Sequence, residues 1–230
     1  MELFYQPGLP NDLFLSTTES NHCIRVLRKQ KTDEIEITDG RGNLYKAAIT
    51  NPNNKKCEFE INNISQISSA LSYRHIAIAP TKNIDRIEWF VEKAVEIGVD
   101  EISFILCQHA ERKIIKIDRI KKKAISAMKQ SYKFKLPQIN ELVKFNEFIK
   151  NQKADNKVIA YVNFENNILF QSTLQNERSN IILIGPEGDF SQLELANALA
   201  SGYKPVSLGN SRLRTETAGI AAVHIMNLFQ

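Results

Sequence analysis

Cysteine is scarce in this chain: Cys23, Cys57 and Cys107 are odd in number, far apart and never in CxxC spacing. Neither a disulfide framework nor a cysteine-based zinc site is signalled, and a reducing, cytoplasmic setting is expected. The histidines, His22, His75, His109 and His224, are dispersed without metal-ligand spacing, so no metal is expected. Long apolar runs are missing as well. Nothing approaches the ~20 residues that span a bilayer. The opening MELFYQPGLPND carries no early lysine or arginine ahead of an apolar stretch, so the chain is expected to be soluble and unexported. There is no GxGxxG after a strand and no GxxxxGK(S/T), which removes the usual dinucleotide and P-loop sites. No GxSxG elbow or Cys/His pairing argues for acyl transfer.

What is present is enough for one large domain or two modest ones: 230 residues, 43% of them hydrophobic. Net charge is only +4, but it is unevenly placed. From Arg112 to Lys135 ten basic residues face one acid, Asp118, so this segment carries +9 and the rest of the chain −5. A solvated helix face explains such a run as well as nucleic acid does. The interleaved Tyr132 and Phe134, in KQSYKFKLP, add groups that stack on bases beside groups that contact phosphates.

The first ~70 residues read as β-rich, on alternation and turn chemistry. EIEIT alternates, DGRG supplies a hairpin turn with Gly40 and Gly42, NLYKAAI resumes, and KCEFEINNI alternates again. Ahead of them SNHCIRVLRKQK predicts a short helix capped by Ser20 or Asn21, with Arg25, Arg28, Lys29 and Lys31 clustered near its end. A small barrel with a basic edge is the simplest assembly. QISSALSYRH, around residues 66 to 75, marks a domain boundary. Beyond it strands and helices alternate: HIAIAP, the amphipathic NIDRIEWFVEKAVEIG stopped by Gly98, EISFILC, a basic helix over 117–128, KVIAYV and NIILIG. That alternation predicts an α/β fold with a mostly parallel sheet.

Two loops follow buried strands. In IILIGPEGDFSQLELANALASG the strand runs into Gly185-Pro186-Glu187-Gly188-Asp189, and Ser191 with Glu194 makes a capping box for the next helix. In PVSLGNSRLRTETAG a strand ends at Gly209 and an apolar helix begins by about Ala218, with Thr215 or Thr217 as its cap and Glu216 favourable to its dipole. His224, alone on that apolar helix, is expected to be buried. Loops at the carboxyl ends of strands are where open α/β sheets bind ligands. A ligand-free turn accounts for the first loop taken alone. In the second, Arg212 and Arg214 are not explained by capping, because a cation is misplaced at a helix N-terminus; they want an anionic partner.

LIGPEGDFS and LGNSRLRTETAG, in that order near the C-terminus, resemble the SPOUT methyltransferases, and within them the RsmE family, which methylates uridine N3 in 16S rRNA of the small ribosomal subunit. HCIRVLR and DGRGNLYKAAI resemble that family's N-terminal PUA-like domain; KNIDRIEWFVEKAVEIGV, ERKIIKIDRIKKKAISAMKQS and KLPQI resemble its central signatures. The resemblance covers most of the chain. It implies a PUA-like RNA-binding β-barrel over 1–70, a SPOUT domain with a trefoil knot over 71–230, S-adenosyl-L-methionine as cofactor and a homodimer. Matched to the motifs, the cofactor pocket falls on Leu183, Gly185, Pro186, Glu187 and Gly188 in the first loop, and on Leu208, Gly209, Asn210, Leu213, Thr215, Thr217 and Ala218 in the second. Arg214, Glu216 and Glu187 are the catalytic candidates. Arg25, Arg28, Arg112, Lys121, Lys122, Lys129 and Lys133 are the RNA contacts. The chain departs from the pattern at Asp189, where the family often has glycine, and at Ser211 and Arg212, which take an arginine and an isoleucine slot. Lys129 and Lys133 stand where the family has glutamate and arginine.

Uracil N3 is protonated at neutral pH and a poor nucleophile, so the expected chemistry is an in-line displacement that needs help in removing that proton or in stabilising the anion. Arg214 is placed at the developing charge or a phosphate, with Glu216 orienting it or relaying the proton, and Glu187 as a cofactor ligand or helper base. Another SPOUT reaction, such as ribose 2′-O-methylation, and a non-catalytic RNA-binding or ribosome-assembly module are the rival readings.

Overall fold

The structure, a computed structural model, describes residues 2–66, 72–161, 168–174 and 178–229. The boundary expected around 66–75 falls largely outside the described residues. Two compact units form, one of Met1–Ser69 with Ile125–Leu136 and one of Ala70–Ala124 with Pro137–Gln230.

The first unit holds β1 (Leu3–Tyr5), α1 (Thr17–Asn21), β2 (Glu34–Thr38), β3 (Asn43–Asn51) and β4 (Glu58–Gln66), in a four-stranded sheet of that strand order. β1 runs parallel to β2, and the expected hairpin pairs β2 with β3 antiparallel. Alternation puts Ile35, Ile37, Tyr45, Ala47, Ile49 and Phe59 into one buried cluster. The cap of α1 is Ser16, not Ser20 or Asn21. Ser20 is fully buried, donating to Leu15 O at 3.0 Å and accepting from Cys57 N at 2.8 Å, so its hydroxyl staples core backbone instead. The end of the basic segment belongs to this unit: Phe134 O accepts from Thr38 Oγ1 and Gly42 N, both at 2.9 Å, and Tyr132 Oη donates to Glu36 Oε2 at 2.5 Å. Tyr132 and Phe134 are half-buried and pack edge to face at 5.1 Å.

The second unit is the expected α/β layer. Its elements are β5 (Tyr73–Ile78), α2 (Ile84–Ile97), β6 (Glu101–Leu106), α3 (Ile117–Gln130, whose last residues belong to the first unit), β7 (Gln138–Lys144), α4 (Phe145–Phe148), β8 (Asn156–Ala160), β9 (Ser179–Ile184), α5 (Gln192–Ala200), β10 (Lys204–Val206) and α6 (Thr215–Leu228). The sheet is wholly parallel in the order β10-β8-β9-β5-β6-β7. Successive strands step outward from β5 through β6 to β7, and the chain then fills the other side, so β5 and β9 flank a change of direction. β7 was not read from the sequence: QINELVK lies at the sheet edge with mixed burial and lacks the apolar run of a central strand. α2 buries Ile87, Phe90, Val91, Ala94 and Val95, and Gly98 closes it at φ 124°. Among the described residues no helix is long and apolar enough to cross a membrane.

At the amino ends of β5 and β6 sits a buried polar knot. His75 Nε2 is 2.8 Å from Ser103 Oγ, its Nδ1 is 3.5 Å from Glu101 Oε2, and its ring meets Phe148 edge-on. Burial pushes the His75 pKa down from 6.5 to about 4, against the pull of Glu101. A base kept neutral in the fold binds fewer protons than the unfolded chain, so its contribution is present above pH 6.5 and lost as pH falls towards 4, by up to ~3 kcal/mol. Denaturant unfolding from pH 7 to 4.5 should show this fall, and His75→Gln should flatten it relative to the parent.

Candidate active site

β8, β9 and β10 lie side by side and end at Ala160, Ile184 and Val206. Their carboxyl ends open into a cavity of about 640 Å³ walled by the loops after β9 and β10. After β9 the chain turns through Gly185-Pro186-Glu187-Gly188-Asp189, and the expected capping box starts α5: Ser191 Oγ accepts from Glu194 N at 3.3 Å, and Ser191 N donates to Glu194 Oε2 at 2.9 Å. A side chain at Gly185 would meet the Phe190 ring at 3.1 Å, so glycine lets the buried Phe190 lie beneath the loop. Asp189 adopts φ 61°, the left-handed conformation in which a glycine is at home and which aspartate tolerates. The turn therefore keeps a glycine-type shape despite the substitution. Burial pushes the half-buried Asp189 carboxyl up, and Phe190 N–H, Arg212 and His109 pull it back.

After β10 comes Ser207 to Arg214, with Gly209 at φ 129°. α6 begins at Thr215 with Arg214 in the cap position and no side-chain cap. Neither Thr215 nor Thr217, the two expected caps, caps the helix; Thr215 Oγ1 instead donates to Gly185 O at 3.0 Å, tying the two loops together. Thr215→Val should cost about 1 kcal/mol in denaturant unfolding, with Thr215→Ser restoring most of it.

The cavity brings together Gly185, Pro186, Glu187, Leu208, Gly209, Asn210, Leu213, Arg214, Thr215 and Ala218 from the sequence-derived set, and adds Ala160, Tyr161, Ile184, Asp189, Val206, Ser207, Ser211 and Arg212. Leu183, Gly188, Thr217 and Glu216 do not line it. Leu183 is fully buried in the sheet core, because alternate residues of a strand face opposite sides. Gly188 sits against His109, whose Nδ1 is 3.1 Å from the carbonyls of Gly188 and Asp189. Thr217 is exposed. Glu216 is 5% exposed, with Oε1 3.7 Å from Arg86 Nη1 of α2 and Oε2 buried without a hydrogen bond. No hydrogen bond or ion pair joins it to Arg214 among the described residues, so it does not orient that arginine directly. His224, expected to be buried, is exposed, because α6 turns Gly219, Ala222, Val223 and Met226 inward.

Glu187 Oε1 accepts from Lys82 N at 3.2 Å, which ties the first loop to the one after β5. Arg112 clamps that same loop, donating to Thr81 O at 3.0 Å and Lys82 O at 2.6 Å, so part of the basic segment holds backbone. Arg119 pairs with Asp85 and Glu88, Lys123 with Glu92, and Lys129 with Glu19. Lys129, a lysine in a glutamate slot, thus has an acid facing it at 2.6 Å. Lys113, Lys116, Lys121 and Lys122 have no ion pair among the described residues, and Lys121 and Lys122 are exposed, as are Arg25 and Arg28; Lys133 is half-buried. The acids of α2 that neutralise α3 are far away in sequence, which is why charge counting overstated the free basic face.

Residues 69–227 of the chain, which carry this cavity and its two glycine loops, match the model of the RNA methyltransferase domain. The chain belongs to that RNA methyltransferase family. Residues 15–62 match the RNA methyltransferase PUA domain, within the four-stranded unit. The ribosomal RNA small subunit methyltransferase E of Aquifex aeolicus is 26% identical, with all of both chains covered, and that of Buchnera aphidicola (Schizaphis graminum) is 28% identical over 93% of this chain and 89% of its own. The Mesomycoplasma hyopneumoniae protein of the same name is 32% identical over 63% of this chain and 64% of its own. A Porphyromonas gingivalis structure described as a "probable rRNA-methyltransferase" superposes with TM-score 0.94 at 41% identity, covering 100% of this chain and 98% of that one. A methyltransferase E of Neisseria gonorrhoeae bound to S-adenosyl methionine gives 0.87 at 25%, covering 99% and 97%.

Proposed function

We propose that this protein transfers a methyl group from S-adenosylmethionine to uridine N3 in 16S rRNA of the small ribosomal subunit. The observation that carries the reading is the cavity at the ends of β8, β9 and β10, lined by both glycine loops and by Arg214. Its volume suits a nucleoside-sized ligand, and backbone edges, apolar Ile184, Val206 and Leu213, and charged rim residues suit a nucleoside with a charged tail. Gly185, Pro186, Leu208, Gly209, Asn210, Leu213, Thr215 and Ala218 would hold the cofactor, which supplies an electrophilic methyl on a sulfonium. Glu187 keeps the first loop in place through Lys82 N–H. Arg214 stabilises the uracil anion, and Glu216, buried beside Arg86, fixes the start of α6 that presents Arg214.

In the same reading residues 1–70, supplemented by 125–136, form a PUA-like RNA-binding domain and the rest a SPOUT domain with a trefoil knot. The enzyme works as a cytoplasmic homodimer. RNA is gripped through Lys121, Lys122, Arg25 and Arg28, the exposed cations. Reversing Lys121 and Lys122 to glutamate should weaken subunit binding and reduce its salt slope by about 1 per lost phosphate contact. An unchanged slope would refute that grip.

The direct test is methyl transfer onto small subunits from a strain lacking the enzyme, followed by mass spectrometry of RNA digests. A methyl on uracil N3 is expected. A methyl on a ribose 2′-oxygen would place the protein elsewhere among SPOUT enzymes, and no cofactor binding would favour an assembly module.

A further inference from the structure

We propose that Asp189 and Arg212 read the amino-acid end of the cofactor, the carboxylate taking its α-ammonium group and the guanidinium its α-carboxylate. This rests on the proposed use of S-adenosylmethionine. The two residues come from different loops, Asp189 from the turn after β9 and Arg212 from the loop before α6, and both line the same cavity. Asp189 is fixed there: its backbone is in the left-handed turn, and its Oδ1 accepts from Phe190 N at 2.7 Å. The other carboxylate oxygen has no hydrogen bond among the described residues. Arg212 is near enough to act on the Asp189 carboxyl electrostatically, yet no ion pair closes between them among the described residues.

Two opposite charges that face one cavity without meeting leave room for a zwitterion lying between them, ammonium towards the acid and carboxylate towards the arginine. The remaining charges around Asp189 agree. Burial raises its carboxyl in spite of Phe190 N–H, Arg212 and His109, so the anion is under-compensated and an entering cation is favoured. Glu187 is less suited to this task, because its Oε1 already accepts from Lys82 N and it is exposed.

The test is calorimetric titration of the full chain with three ligands: S-adenosylmethionine, S-adenosylhomocysteine and 5′-methylthioadenosine, which keeps the nucleoside and lacks the amino-acid end. Asp189→Asn, a residue that also tolerates the left-handed turn, and Arg212→Leu should each weaken the first two ligands by roughly tenfold or more. Neither should change the affinity for methylthioadenosine, which also shows that the pocket is folded. An equal loss for methylthioadenosine would overturn the proposal by placing the pair at the nucleoside, and unchanged affinities for all three would overturn it outright. If the parent protein binds none of the three, the cofactor reading itself falls, and this one with it.

Discussion

Arg214→Ala is expected to lower methyl transfer to rRNA by about 10²- to 10³-fold while leaving the affinity for S-adenosylmethionine near that of the parent. The residue caps α6 with its backbone, so its guanidinium sits at the positive end of a helix dipole, where a cation is disfavoured. It is exposed and lines the cavity, and its guanidinium has no hydrogen bond or ion pair among the described residues. An arginine held in an unfavourable field with no internal partner is available to an anion that arrives with the substrate. The uracil anion left when N3 loses its proton is such a group, with charge on O2 and O4 that a planar fork matches better than a point charge. Arg214→Lys should therefore recover only part of the rate. Raising the pH, which supplies the anion without help, should recover part of the rate of the alanine variant. Single-turnover assays with saturating cofactor separate these effects, and a parental rate for Arg214→Ala would refute the assignment.

The second large effect concerns stability. In the middle of a helix, glycine to alanine ordinarily stabilises by ~0.5–1 kcal/mol. Gly219 in α6 should do the opposite. A Cβ there would stand 2.6 and 2.8 Å from Cε2 and Cδ2 of Phe90, and 3.0 Å from Cδ1 of Ile78. Phe90 and Ile78 are both 0% exposed, so neither ring nor side chain has free space to move into. The overlap outweighs the propensity gain, and a net loss of about 2–3 kcal/mol is expected. For a chain of this size that is a fall in Tm of roughly 5–10 °C by calorimetry. Because α6 would be pushed off α2, Arg214 and Thr215 would shift as well, and cofactor affinity should fall with stability. A Tm equal to or above the parent's would mean that α2 and α6 separate freely.

Much of this molecule was legible before its structure. The β2–β3 hairpin followed from EIEIT, DGRG and NLYKAAI, since alternation and glycines at a turn leave few other arrangements. The central strands β5, β6, β8 and β9 were visible as short apolar runs, and α2 as an amphipathic stripe stopped by glycine. β7 was missed because an edge strand carries polar residues on its open side. The two glycine loops were found by grammar, and ten of their residues do line one cavity. Tyr161 and Ser207 were not found, because nothing local in KVIAYV or PVSLG marks a residue as facing a ligand.

The sequence by itself determined the order of the elements other than β7, the two loops at strand ends and the family motifs, because these depend on periodicity and spacing along the chain. Tertiary structure alone decided which charges are free and which polar groups are occupied. It set Asp85, Glu88 and Glu92 against the basic helix, gave Thr215 to Gly185 rather than to its own helix, buried Glu216 beside Arg86, and left Asp189 and Arg212 facing one cavity unpaired. Each of these joins residues remote in sequence, and a pairing energy is a function of distance in space, which no local pattern encodes.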